Sequence, residues 1–145
     1  MSLEIGDKAP AFSLATDGGG KITSASLKGK NVVLYFYPKD DTPGCTREAC
    51  SFRDDLAQFG KKNAVVLGVS LDDAASHAAF KDKYKLPFTL LADTDGAICR
   101  AYGVLAPEKS HASRWTFLID PTGAVKKVFR DVKVDGHSRE VLDAL

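Results

Sequence analysis

Two apolar runs of strand length, Val32-Val33-Leu34-Tyr35-Phe36 and Ala64-Val65-Val66-Leu67-Gly68-Val69-Ser70, flank a stretch with the period of a helix. This strand–helix–strand order restricts the fold more than any other feature of the chain. Both runs are rich in β-branched and aromatic residues. The second is continuous rather than alternating, which predicts strands buried on both faces of a mostly parallel sheet. Between them Cys45, Ala49, Phe52, Leu56 and Phe59 recur at steps of four, three, four and three, one face of a helix. That helix is expected to run to about Phe59 and to stop at Gly60 and Lys61-Lys62.

The rest of the chain fits around this unit. Phe12-Ser13-Leu14 alternates and Gly18-Gly19-Gly20 is a turn signal, so an N-terminal hairpin is expected. No GK[ST] or GxGxxG pattern follows those glycines, which argues against a phosphate loop. A second helix is predicted from Asp73 to Tyr84 with Ala75, Ala78, Ala79 and Phe80 inward, ending before Pro87. Phe88-Thr89-Leu90-Leu91 reads as a strand, and a short helix through Ile98, Cys99 and Tyr102 closes at Gly103. Leu105 to Ser113 reads as loop. Trp115 to Ile119 and Ala124 to Phe129, joined by Asp120-Pro121-Thr122-Gly123, predict an antiparallel hairpin, and Ser138 to Leu145 has helical spacing. Strands alternating with helices and then a hairpin make an α/β fold with a mixed sheet, in a single domain over residues 1–145.

Charge and cysteine usage narrow the function. A formal net charge of +1 shows no bias toward nucleic acid or acidic lipid. No apolar run nears the roughly 20 residues that cross a bilayer, and the start has no basic-then-hydrophobic leader pattern. The expectation is a cytoplasmic protein. Three cysteines are too few for a secreted disulfide scaffold and suit redox or catalytic work. No CxxC pair occurs, and His77, His111 and His137 lack ligand spacing with the cysteines, so no metal site is expected.

Cys45 sits where a strand hands over to a helix. Thr42 is an N-cap candidate and Pro43 suits the first helical position, where its missing N–H costs nothing. Cys45 then lies in the first turn, near free N–H groups and the positive end of the helix dipole, surroundings that favour thiolate over thiol. Cys50, five residues on, is rotated by about 140° and lies roughly 8.7 Å away on an ideal helix. A disulfide needs Cα atoms within about 7 Å, so the two can bond only if the first turns unwind. Cys99, beside Ile98, reads as a packed core thiol. Arg114 stands just before a strand, where a side chain can be held rigidly at the sheet edge. Arg47 and Glu48 read as a solvated helix face, and Asp40 and Asp41 as loop solubilisers.

The pattern Pro38-x-x-x-Thr42-x-x-Cys45, continued as Thr46-Arg47-Glu48-Ala49-Cys50, resembles the peroxiredoxins, in the bacterioferritin comigratory protein or peroxiredoxin Q subgroup. The similarity extends to Gly6-Asp7-Lys8-Ala9-Pro10-x-Phe12, to Asp93 with Tyr102-Gly103-Val104, and to Arg114-x-Thr116-Phe117-Leu118-Ile119-Asp120. It implies a thioredoxin-like fold, a mixed sheet flanked by helices, with an N-terminal β-hairpin extension. It implies roles as well: Cys45 as peroxidatic cysteine, Cys50 as resolving cysteine, Thr42 as the hydroxyl that bonds thiolate and peroxide, Pro38 as a shield from water, and Arg114 as the support for the thiolate that polarises the substrate oxygens. Two departures adjoin Arg114: the bulky Trp115, and a segment from Glu108 to Ser113 that is shorter than in many relatives.

The implied activity is thiol-dependent reduction of hydrogen peroxide and organic hydroperoxides without a cofactor. Cys45 would pass through a sulfenic acid, Cys50 would form the disulfide, and thioredoxin or a similar thiol reductant would restore the dithiol. A monomer is expected over a dimer. Two rivals are a thiol–disulfide oxidoreductase, which the CxxxxC spacing disfavours, and a redox-regulated binding protein that exposes a partner surface when the helix opens.

Overall fold

The computed structural model describes residues 3–105 and 109–145. Its centre is β3 (Asn31–Phe36), whose side chains alternate between two apolar layers. Val33 and Tyr35 face one layer; Val32, Leu34 and Phe36 face the other. The period of two that defines a strand thus feeds a core on each face of the sheet.

Around β3 the sheet is built from β1 (Ser13–Thr16), β2 (Lys21–Thr23), β4 (Ala64–Ser70), β5 (Thr89–Ala92), β6 (Trp115–Ile119) and β7 (Val125–Phe129). Their order is β2-β1-β5-β4-β3-β6-β7. β3, β4 and β5 run parallel, whereas β6, β7 and the β1–β2 hairpin are antiparallel additions. This is the expected mixed sheet, and the N-terminal hairpin extends it beyond β5.

One face carries α1 (Pro43–Lys61), α2 (Ala74–Tyr84) and α4 (His137–Ala144), which contribute Cys45, Ala49, Phe52, Phe59, Phe80, Val141 and Leu142 to its core. The other is covered by α3 (Ala97–Ala101) and the N-terminal segment, with Cys99, Tyr102, Phe12 and Leu14. Burying each large side chain contributes ~1.5–3 kcal/mol, so the apolar stripe of α1 is what holds that helix to the sheet. Gly68 of β4 pairs with Tyr35. A Cβ there would lie 2.8 Å from the Tyr35 ring and 2.9 Å from Leu90. The glycine is needed for the space it leaves to the tyrosine.

Two expectations need correction. Ala75, Ala78 and Ala79 are exposed; Phe80 faces the core as expected, joined there by His77, with Tyr84 half-buried. Alanine is too small and too neutral to mark a buried face, and the aromatic residues decide the orientation. α1 also runs through Gly60 to Lys61, and the left-handed residue that ends the turn is Asn63, at φ 54°. Asparagine tolerates that conformation, so Gly60 is not needed as the stop. Of the loop between Leu105 and Ser113, residues 106–108 lie outside the described residues, and with them the Glu108 end of the segment read as short.

Candidate active site

The segment between β3 and α1 is fixed by Asp40, which is buried. The Tyr37 hydroxyl donates to Asp40 Oδ1 at 2.6 Å, and Ser76 Oγ donates to Oδ2 at 2.8 Å. His77 Nδ1 lies 2.7 Å from Asp40 Oδ2 while its Nε2 lies 2.9 Å from the Leu91 carbonyl. Both ring nitrogens face acceptors, an arrangement that favours the charged, doubly protonated ring, which can donate from both. Burial opposes that charge, but the hydrogen bond and negative charge of Asp40 outweigh it and raise the His77 pKa. The Asp40 N–H donates to Asp72 Oδ2 at 2.8 Å. Asp40, Asp72 and His77 bring ligand-type atoms within 4.8 Å of one another. Their atoms are already engaged with each other, with Leu91 and with Ser70. The cluster is a clamp on the loop. The reading of Asp40 as a loop solubiliser is therefore wrong, because the side chain is buried against Ser76 and His77 of α2. Asp41, at φ 57°, is exposed as expected and meets Lys83 and the Tyr84 hydroxyl.

From this anchor the chain enters α1 as expected, with Thr42 extended at the N-cap and Pro43 in the first turn. The Thr42 carbonyl accepts from Thr46 N–H at 2.8 Å. Its hydroxyl makes no cap bond and donates to the Lys39 carbonyl at 2.9 Å. In this state the hydroxyl proton points back into the loop and is not given to Cys45. Pro38 is half-buried. The N–H groups of Gly44 and Cys45 have no acceptor within the helix, as at any helix start.

Cys45 is 1% exposed. Arg114 Nη2 approaches its Sγ at 3.4 Å, and Arg114 Nη1 donates to Glu48 Oε1 at 2.8 Å. A Cβ on Gly44 would sit 3.0 Å from Nη2, so this glycine leaves room for the guanidinium. Burial opposes the charge on Arg114, but Glu48 and Cys45 outweigh it and raise its pKa. The structure thus brings Arg114, Cys45 and the start of α1 together.

Glu48 corrects the solvated-face reading. It is 1% exposed, and burial lifts its pKa to about 7 against the opposing effect of Arg114. Its Oε2 and the Tyr35 hydroxyl are the buried side-chain oxygens without a partner among the described residues. A signal was present: three residues after Cys45 on a helix is a turn of ~300°, which places Glu48 at the edge of the apolar stripe.

Cys50 is half-buried on α1, and all three cysteines are free thiols. Cys99 is buried in the core on the opposite face of the sheet from Cys45. Burial, aided by Asp93, pushes its thiol far above the ordinary range. Trp115 adjoins Arg114, bonds Asp131 Oδ1 through Nε1 at 3.4 Å and carries Arg130 over its ring. No helix among the described residues is long and apolar enough to cross a membrane.

The AhpC/TSA family model matches residues 5–128. A bcp peroxiredoxin of Coxiella burnetii is 51% identical, with both chains covered in full. Peroxiredoxin Bcp of Bacillus subtilis is 44% identical over all of this chain and 96% of its own. The fold matches a crystal structure of a cysteine-to-serine mutant of Xylella fastidiosa PrxQ at TM-score 0.93, with 38% identity over 99% of this chain and 95% of that one. It also matches the bacterioferritin comigratory protein of Xanthomonas campestris, studied for alkyl peroxide reduction, at TM-score 0.88 and 40% identity over 92% of this chain and 88% of that one. The thioredoxin-like peroxiredoxin fold, the strand-to-helix cysteine and the full-length relatives agree: the chain belongs to the AhpC/TSA family and, within it, to the Bcp/PrxQ peroxiredoxins.

Proposed function

We propose that Cys45 carries the thiol-dependent peroxidase chemistry of this family member. The observation that carries the reading is the Arg114 guanidinium, held 3.4 Å from Cys45 Sγ at the start of a helix. Cys45 thiolate attacks the terminal oxygen of a hydroperoxide; the S–O bond forms as the O–O bond breaks, and the leaving oxygen takes a proton from solvent to depart as water or alcohol. Arg114 and the N–H groups of Gly44 and Cys45 face the charge that develops on the departing oxygen. Thr42 joins them once its hydroxyl turns from Lys39, and Pro38 limits the access of water.

The sulfenic acid is then attacked by the thiolate of Cys50, which forms the disulfide and releases hydroxide. Cys50 lies five residues along the same helix, so the first turns of α1 unwind at this step. A dithiol reductant of the thioredoxin type returns both cysteines by exchange. The hydroperoxides include hydrogen peroxide and organic peroxides. Ile5 is the large hydrophobic residue exposed among the described residues, which supports a monomer without an apolar dimer face. Two core layers share one sheet, which supports a single domain. The unbiased charge supports work in the cytoplasm, away from acidic lipid and nucleic acid, and no helix among the described residues is long and apolar enough to cross a membrane.

The test is a thioredoxin-coupled peroxidase assay with trapping of sulfenic acid. Cys45→Ser is expected to abolish turnover, and Cys50→Ser to form sulfenic acid but lose cycling. Unchanged cycling in Cys50→Ser would move the resolving role to Cys99 or an outside thiol.

A further inference from the structure

Glu48 is an ionisable group placed inside the part of α1 that has to move. It lies between Cys45 and Cys50 in the chain, so no unwinding that joins the two sulfurs leaves it in place. In the closed helix it is 1% exposed, Oε1 is bonded to Arg114, and Oε2 has no partner among the described residues. An unpartnered carboxylate oxygen in a dry site is costly, and water relieves that cost only when the helix opens.

We propose that Glu48 is a positioning residue that sets how readily the first turns of α1 open: protonated, it keeps the helix closed over Cys45; ionised, it favours the opening that lets Cys50 reach the sulfur. This regulation rests on the peroxidase reading of the site. Opening transfers the Glu48 proton to solvent, because the buried acid becomes a solvated carboxylate. The groups facing it are Arg114 from the approach to β6, Tyr35 from β3 and Cys45 from its own helix, with His137 of α4 beyond Arg114. Tyr35 stays neutral, since burial and the charge of Glu48 raise its pKa. Arg114 stays charged, and Glu48 is the one carboxyl among these facing groups.

The sign follows from the two states. The closed helix holds Glu48 with a pKa of about 7, whereas the solvated residue has the ordinary 4.5. Between those values the closed state binds the extra proton, so rising pH favours opening, and the effect levels off above pH 7. The opening equilibrium is expected to grow on the order of 100-fold across this window.

Amide hydrogen exchange of the reduced protein, without peroxide, tests this. Protection factors at residues 46–50, each referred to the unstructured chain at the same pH, are expected to fall between pH 5 and pH 8, while those in β4 do not follow. Glu48→Gln, which cannot ionise but retains His137, is expected to give a flat profile. If that variant does not fold, NMR titration of the Glu48 carboxyl carbon in the native chain decides, because its midpoint must coincide with the loss of protection. A flat native profile, an equal fall in Glu48→Gln, or a carboxyl midpoint near 4.5 would overturn the proposal. None of these outcomes touches the peroxidase reading, which peroxide turnover tests separately.

Discussion

Arg114 reaches across 69 positions of sequence to place Nη2 3.4 Å from Cys45 Sγ, and its other amino group closes on Glu48. One side chain thus ties the Cys45 sulfur to a buried acid on the same helix. Removing it has two separable consequences. Arg114→Ala is expected to lower the second-order rate with peroxide by about 10²–10³, the usual effect of losing one donor to a developing oxyanion. Stopped-flow oxidation of the thiol measures this. The variant also strands Glu48 without its cation, which costs roughly 3 kcal/mol where the carboxylate is ionised and less where it is protonated. With the Glu48 pKa at about 7, the loss in denaturant midpoint should be greater at pH 8 than at pH 6.

The Asp40–His77 clamp gives the opposite pH dependence to an acid held ionised. The folded-state pKa of His77 is raised above 6.5, so its stabilisation is full below that value and is lost as pH rises through the raised value. His77→Gln removes this and should flatten the alkaline side of the stability curve. The cost at pH 6 is expected to be about 1.5–3 kcal/mol, the range for hydrogen bonds to a charged group. Thermal unfolding of both proteins across pH 6 to 9 is the check. Parallel curves would place the anchoring of the loop elsewhere.

Two glycines separate activity from stability. Gly68→Ala drives a methyl into the Tyr35 ring, 2.8 Å away, and Leu90, 2.9 Å away, in the packed core under α1. Such overpacking costs ~1–3 kcal/mol and should lower the denaturant midpoint. Gly44→Ala meets the end of the Arg114 side chain at 3.0 Å, and a side chain can give way there. Its expected effect is a several-fold loss of peroxide rate as the guanidinium leaves the sulfur, with little change in stability.

Cys99→Ser should leave peroxide turnover unchanged, because Cys99 is packed on the far face of the sheet. The thioredoxin-coupled assay measures it. A loss of cycling would mean that the core opens far more widely than the unwinding of α1 requires.

What could be read from the chain follows from how local each signal is. β3, β4 and α1 are specified by periods within their own residues, and Thr42 and Pro43 mark the start of α1 without outside help. The position of Arg114 beside Cys45 was implied by family resemblance, since spacing cannot join residues so far apart. The burial of Glu48 and Asp40 is not legible in the sequence for the same reason. A charge is buried only when partners meet it, and theirs stand 66 and 37 residues away. The inward face of α2 is not marked by its alanines, which carry no directional information, whereas His77 is turned inward by Asp40 and Leu91.

The central claim is that Cys45 reacts with peroxide and is resolved by Cys50 through local opening of α1. A peptide map of the protein oxidised with one equivalent of hydrogen peroxide tests it most directly. The expected result is a single disulfide joining Cys45 to Cys50, with Cys99 recovered as a free thiol. A Cys45–Cys99 bridge, or sulfenic acid persisting at Cys45 with Cys50 reduced, would contradict it.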